Sequence, residues 1–342
     1  MPRPTLEVIT RNSGQAKRSI VRRYQQLSLL MQLLPFDNSV VPSLSGGGGR
    51  SLAYAYERDK QPRGAQFRDW YQDYPADYQD TEPVVTYLRP LGGAFEIDRV
   101  FVQADGSISP STPGLGSFVN ENVDALARAT VGLFANTAVN GDKKVNNLAF
   151  DGLSTILDGT TSEFNGSGLT IAEGATVDNY TTATTAMKKF INRIKARGLA
   201  PVIFTNEDSA LRLEMAAIKL GYTDRKPSGF GQDIVNFAGA PIIDLGARVG
   251  TTGDSAADSV IPTTTGAGAS GGLTDIYIVG LGLSGFHGVT LTGDSGVTYY
   301  SNLGDTKPGV TKRVECEMVG TVALKDTKAA YVLRDVRVQP QV

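Results

Sequence analysis

The sequence predicts an α+β body that carries two long appendages, an N-terminal arm and a polar hairpin. Three observations lead there. Helix-period stripes and short strand-like runs interleave between residues 117 and 246. The tail, from "DIYIVGL" to "YVLRDVRVQ", is mostly strand-like. Residues 56–83, "YERDKQPRGAQFRDWYQDYPADYQDTEP", follow neither period, although 11 of these 28 residues are charged and 6 are aromatic. No repeat of 20–50 residues runs through the chain.

Composition narrows the chemistry. The 342 residues suffice for two or three compact lobes, and 41% hydrophobic with 20% charged residues is ordinary globular material. A net charge of −2 exerts no overall pull toward nucleic acid or membrane. One cysteine, Cys316, excludes an intrachain disulfide, and one histidine, His287, removes zinc clusters and two-His metal triads. A Ser-His or Cys-His pair would have to use His287, which sits in "GFHGV" and reads as a turn or strand-end imidazole. "MPRPTLEVIT" has no apolar signal-peptide region and no run of 18 apolar residues occurs, so the expected place of work is where the chain is made, or a particle assembled there. The sequons at Asn165 and Asn179 then read as chance matches.

The elements follow in order. Residues 1–24 hold six bases (Arg3, Arg11, Lys17, Arg18, Arg22, Arg23) against Glu7, and Ile20, Tyr24, Leu27, Met31 and Leu34 make one helical stripe ending near Pro35. That pattern fits a helix covering a core, and equally a basic arm that meets phosphate or another subunit. "SLSGGGGRS" (43–51) is a flexible joint. "LAYAY" and "VVTYL" then flank the odd segment with strand composition, which predicts a long hairpin with an irregular far end. "FEIDRVFVQ" (95–103) alternates like a strand.

A helix is expected over 117–136, N-capped by Ser117, with Val119, Val123, Leu126, Thr130 and Leu133 on one face and "NGD" (140–142) closing it. A loop-rich stretch runs to about residue 181. A second helix carries Met187, Phe190, Ile191 and Ile194 and ends at Gly198. "PVIFT" (201–205) reads as a strand buried on both faces, and Thr205 with Asp208 as the start of a helix bearing Leu211, Met215 and Ile218 up to Gly221. "APIIDLG" (240–246) is another strand, and the Gly/Thr/Ser/Ala-rich residues 247–273 read as a mobile surface loop.

One enzyme motif needs a test. Gly280, Gly282 and Gly285 form a G-x-G-x-x-G after a strand, but "HGVTLTGDSGVTYY" follows, which cannot sustain the helix a dinucleotide site requires. No P-loop, H-E-x-x-H or G-x-S-x-G motif is present. The acids Glu207/Asp208 and Glu315/Glu317 read as a helix start and a strand edge. No catalytic, cofactor-binding or metal-binding residue is expected, and the chain is read as a non-enzyme.

The hairpin points elsewhere. Ordering its 28 residues costs on the order of 30–50 kcal/mol of backbone entropy. Offsetting that takes roughly 1,200–2,000 Å² of apolar burial, more than a lone hairpin in water supplies. Phe67, Trp70, Tyr71, Tyr74 and Tyr78 are the residue types interfaces enrich. The charges are sorted: residues 57–68 carry four bases and two acids, and residues 69–82 carry five acids and no base. The segment is therefore expected to meet neighbouring copies through Arg58, Lys60, Arg63, Phe67, Arg68, Trp70, Tyr71, Asp73, Tyr74, Asp77, Tyr78, Asp80 and Glu82, with the sorted charges setting register.

The order of basic arm, polar hairpin, "LGGAFEIDR", long helix, "NGDKKVNNLAFDGL", "APVIFTNEDSALRLEMAAI", "VNFAGAPIIDLG" and closing strands resembles the major capsid proteins of tailed double-stranded DNA bacteriophages, the Hong Kong 97 type fold. The resemblance covers roughly residues 45–340. It implies an N-terminal arm (1–45), an extended loop (46–98), a peripheral domain (99–150) with a long spine helix at 117–136, an axial domain (151–299) with a mobile tip at 247–273, and peripheral closing strands (300–342).

It also implies a virion shell, assembled in the host bacterial cytoplasm as pentamers and hexamers around packaged DNA. A portal and a decoration protein would be its partners, and with only about 45 residues before the extended loop a separate scaffold protein is expected. Arg11, Lys17, Arg18, Arg22 and Arg23, if they face the lumen, would touch DNA phosphates without reading bases. Lys60 is the single lysine of the extended loop and no asparagine follows Asn302, so the loop-to-peripheral-domain cross-link of some relatives is not expected. The rival readings are an encapsulin-type protein compartment, an oxidoreductase built on the glycine motif, and a monomeric binding module with a disordered insert.

Overall fold

The computed structural model describes residues 29–37, 52–59, 64–74, 78, 80–98, 115–220, 224–227, 233–251, 255–265, 272–290, 297–302 and 311–339. The arm residues Arg11, Lys17, Arg18, Arg22 and Arg23, the glycine-rich joint, Lys60, Arg63 and Asp77 lie outside them.

In chain order the elements are α1 (Leu29–Leu33), β1 (Phe36–Asp37), β2 (Ala53–Asp59), β3 (Thr81–Tyr87), β4 (Arg89–Asp98), α2 (Leu115–Asn140), α3 (Leu153–Leu157), β5 (Glu163–Asn165), α4 (Val177–Lys195), β6 (Ala200–Thr205), α5 (Glu207–Lys219), β7 (Asp224–Pro227), β8 (Asp233–Phe237), β9 (Ala240–Asp244), β10 (Thr264–Thr265), β11 (Gly272–Leu281), β12 (Phe286–Thr290), β13 (Val297–Asn302), β14 (Thr311–Leu324) and β15 (Ala330–Arg337). Thirteen strands form one sheet, whose main path runs β13-β14-β12-β11-β6-β9-β8-β7, while β2 and β3 form a separate hairpin. β4 joins through β14, and β15 pairs with β11 and β5. The final strand, placed with the peripheral closing strands by the sequence, thus lies beside β11.

Period-two alternation divides the core. Along β11, Tyr277 and Val279 face one side and Ile276 and Ile278 the other; along β6, Val202 and Phe204 oppose Ile203. Helices cover both faces. α2 packs Ala127, Val131, Phe134, Ala135 and Ala138 on the first side, and α4 packs Met187, Phe190, Ile191 and Ile194 on the second. "PVIFT" is buried throughout for this reason.

Several elements differ from the sequence reading. α2 begins at Leu115, so Ser117 lies inside its first turn and is no N-cap; Leu133 turns outward, and Phe134 takes the core position. α4 begins at Val177, where Thr176 Oγ1 accepts from the Asn179 N–H, and the hydroxyls of Thr181, Thr182 and Thr184 bond back one turn. Burial of Tyr180 and Ala183 outweighs the weak helix propensity of its threonines. α5 is capped by Asn206, one residue beyond the expected Thr205. Its buried face is Ser209, Leu213, Ala216 and Ala217, and Leu211, Met215 and Ile218 are exposed. Two alanines bring the helix close to the sheet and turn the bulkier stripe away.

Residues 255–265 are not a loose surface loop. Val260 and Ile261 enter the core, Asn206 Nδ2 donates to the Ile261 carbonyl at 3.0 Å, and Asn140 Nδ2 donates to the Val260 carbonyl at 2.6 Å. The glycine motif closes a tight β11–β12 connection and opens no helix. A Cβ on Gly280 would lie 2.7 Å from Ile194 Cγ2, and one on Gly285 would lie 2.5 Å from the Gly280 carbonyl oxygen. Those glycines serve close packing.

Candidate self-assembly surface

The hairpin expected between "LAYAY" and "VVTYL" is present. β2 and β3 pair antiparallel from Ala53↔Tyr87 to Asp59↔Thr81. Alternation sorts its two faces. Tyr54, Tyr56, Arg58, Val84 and Thr86 turn toward the body, whereas Ala55, Glu57, Pro83, Val85 and Tyr87 are exposed. Tyr54 packs with Leu88, Val289 and Ala323, and the Thr86 and Thr321 hydroxyls meet at 3.1 Å. Tyr54 Oη donates to Asp37 Oδ2 at 2.7 Å, and its burial pushes the phenol upward from the ordinary range. The root is therefore fixed to β1, β12 and β14.

The far end touches little of its own chain. Phe67 is 106% exposed, Trp70 84% and Tyr71 104%, and Tyr74, Tyr78, Asp73, Asp80 and Glu82 are exposed as well. Residues Asp69–Gln72 make a turn closed by Gln72 N–H to the Asp69 carbonyl at 3.3 Å, with Tyr71 at φ 66°. A left-handed tyrosine costs about 1–2 kcal/mol. Arg68 holds it: Nη1 donates to the Asp69 and Gln72 carbonyls, both at 3.2 Å, and the guanidinium lies 5.3 Å from the Tyr74 ring centroid. The effect is to present Trp70 and Tyr71 to solvent.

Arg58 behaves differently from the rest of the expected set. Its Nη2 donates to the Leu324 carbonyl and the Tyr56 hydroxyl, both at 3.2 Å, so it fastens the hairpin to its own body. Beneath it is a cleft of about 390 Å³ between the hairpin root, the start of β4 and the α2–α3 connection. Arg89 and Lys143 also line it, over a floor that includes Phe150 and Ile156. No local motif announces this cleft, because its residues come from four separated segments. Two further apolar exposures were missed: Val145 and Leu148 in the α2–α3 connection, and the outward stripe of α5. Among the described residues no group of three His, Cys, Asp or Glu could hold a metal ion, and no helix is long and apolar enough to cross a membrane.

No family model matches the sequence, and no curated protein matches it. Solved structures do. The encapsulin of the holo-SrpI complex from Synechococcus elongatus PCC 7942 aligns with TM-score 0.55 at 12% identity, over 94% of this chain and 90% of that one. The capsid of a native GTA particle aligns with TM-score 0.54 at 11% identity, over 90% of this chain and 89% of that one. The capsid of the Myoviridae phage XM1 aligns with TM-score 0.52 at 11% identity, over 90% of each chain. At such identities the likeness is one of fold, and it runs through nearly the whole chain: the protein has the Hong Kong 97 type fold.

Proposed function

We propose that this chain is a shell-building subunit, the major capsid protein of a tailed double-stranded DNA phage, which assembles as pentamers and hexamers into an icosahedral particle around DNA. The supporting observation is the hairpin: its root is fastened to the body, and its end holds Phe67, Trp70 and Tyr71 exposed, with no surface among the described residues to cover them. Self-association supplies that surface. The division into arm, extended loop, peripheral and axial domains belongs to the same reading, as do a separate scaffold, a portal, a decoration protein, phosphate contacts by the arm, and assembly in the host cytoplasm.

An encapsulin-type compartment is the second reading, favoured by the alignment with the Synechococcus elongatus shell. Electron microscopy of particles purified from the cells that make them tests both. Uniform angular shells containing DNA support the capsid. Shells filled with a protein cargo and free of DNA support the compartment, and a chain that stays monomeric at high concentration with scaffold supplied overturns both.

A further inference from the structure

We infer that the cleft at the root of the hairpin is the receptor for the aromatic, acidic far end of the hairpin of a second copy. This rests on the shell-building reading and specifies which surfaces meet.

The cleft is built for an anionic guest with an apolar body. Arg58, Arg89 and Lys143 line it, and Asp151 opposes them, pairing with Lys143 at 2.7 Å. The Arg89 side chain has no hydrogen-bond or ion-pair partner among the described residues, and Arg58 Nε is buried without an acceptor. A buried N–H without a partner is a destabilising deficit that a carboxylate reaching the cleft would remove. Tyr56 forms a wall, with Phe150 and Ile156 beneath. A volume of about 390 Å³ admits a ring together with its neighbours.

The guest with matching chemistry is on the same chain. Residues 69–82 carry five acids and no base, and Trp70 and Tyr71 stand between Asp69 and Asp73. Both rings project outward on a turn that Arg68 has already fixed, so docking requires little further ordering. Free phosphate or nucleic acid would satisfy the cations but leave the aromatic floor unused. The acid-flanked rings satisfy both.

Geometry follows from placing plug and socket at opposite ends of one hairpin. Tip-on-root is a heterologous contact, in which every copy gives one end and receives another, and such contacts close into rings when the rotation permits. The hairpin would thereby set the handedness and direction of a capsomer ring.

Ala149, which lines the cleft, provides the test. The chain bearing p-benzoyl-L-phenylalanine at position 149 is irradiated in the assembled state, and the cross-linked peptides are mapped by mass spectrometry with a mixture of isotopically light and heavy copies. The expected product joins position 149 of one copy to residues 69–80 of another. Arg89→Glu, with no native partner to lose, should keep the wild-type urea midpoint and reduce particle yield by about tenfold or more. Assembled particles whose cross-links from position 149 fall elsewhere, or Arg89→Glu particles at wild-type yield, overturn the tip-on-root contact while leaving the shell reading intact. A chain that never assembles, with scaffold supplied, overturns both.

Discussion

The Tyr54 hydroxyl lies 3.3 Å from His287 Nε2, which sets the root of the hairpin against the second residue of β12. The same hydroxyl donates to Asp37, and His287 Nδ1 lies 3.2 Å from the Gly285 carbonyl, the geometry of an Nδ1–H donor. The ring is fully buried, and that burial pushes its pKa below the usual imidazole range; nearby Lys325 acts in the same direction, and Asp37 against it. Tyr56 and Arg58 are the other titratable groups on the face of β2 turned toward the body, and Glu57 points to solvent.

The consequence is a pH-dependent stability. The unfolded chain binds a proton on His287 near pH 6.5, and the native chain binds it only at lower pH. Stability from this group is therefore complete above about pH 6.5 and declines as pH falls through the folded pKa. Urea unfolding at pH 7.5 and pH 5.5 should show a smaller loss for His287→Gln than for the wild type. Parallel losses would remove His287 as the cause.

Gly285→Ala should destabilise the fold by about 1–3 kcal/mol, because its Cβ would enter the van der Waals shell of the Gly280 carbonyl at 2.5 Å and of Leu199 Cδ1 at 2.9 Å. Gly168 is the control. A Cβ there meets nothing within 4 Å, so Gly168→Ala should stay within about 0.5 kcal/mol of the wild type. Equal urea midpoints for the two variants would show that the β11–β12 turn relaxes freely.

These glycines mark what the sequence disclosed and what it withheld. That Gly280, Gly282 and Gly285 open no helix was legible, because the residues after them cannot sustain one. What they pack against was not, since Ile194 and Leu199 lie some eighty residues upstream. The hairpin was legible from its two strand-like flanks, whereas the receiving cleft was not. α5 shows a different failure: its sequence holds two stripes at helical spacing, and the larger residues are not the buried ones. Hydrophobic size favoured Leu211, Met215 and Ile218; close approach to the sheet favoured Ala216 and Ala217. Residues 255–265 looked unanchored because Asn206 and Asn140, which tie their carbonyls down, are distant in sequence.

Arg334 is the hub of a polar network that crosses the sheet. Its Nε donates to Glu163 Oε1 at 2.9 Å, Nη1 to Asp275 Oδ2 at 2.7 Å, and Nη2 to the Ser154 carbonyl at 3.2 Å, linking β15 to β5, β11 and α3. Arg334→Met keeps much of the side-chain volume but leaves two partly buried carboxylates without their cation, at a cost of about 2–4 kcal/mol in urea unfolding. Arg334→Lys keeps the charge without the planar fork, so it should fall between the two. A methionine variant as stable as the wild type would show that solvent replaces the guanidinium at no cost.

The hairpin end can be removed without touching its anchor. Tyr54 and Thr86 hold the root, and Tyr56↔Val84 is the next pair outward on the same face, so replacing residues 57–83 with Asn-Gly leaves that pair closing a two-residue turn. The exposed rings contribute nothing to the monomer core, and the shortened chain should unfold within about 1 kcal/mol of the wild type after the loss of the Arg58–Leu324 hydrogen bond. On the proposed assembly, in which Trp70 and Tyr71 meet a second copy, particles should fail to form. A milder form of the same test is Arg68→Ala, which frees the Asp69–Gln72 turn and lets Tyr71 leave its left-handed conformation. It should lower particle yield with no change in the urea midpoint. Closed particles at full yield from the Asn-Gly chain would show that the hairpin end is dispensable, and that the contact between copies lies on another surface such as the outward stripe of α5.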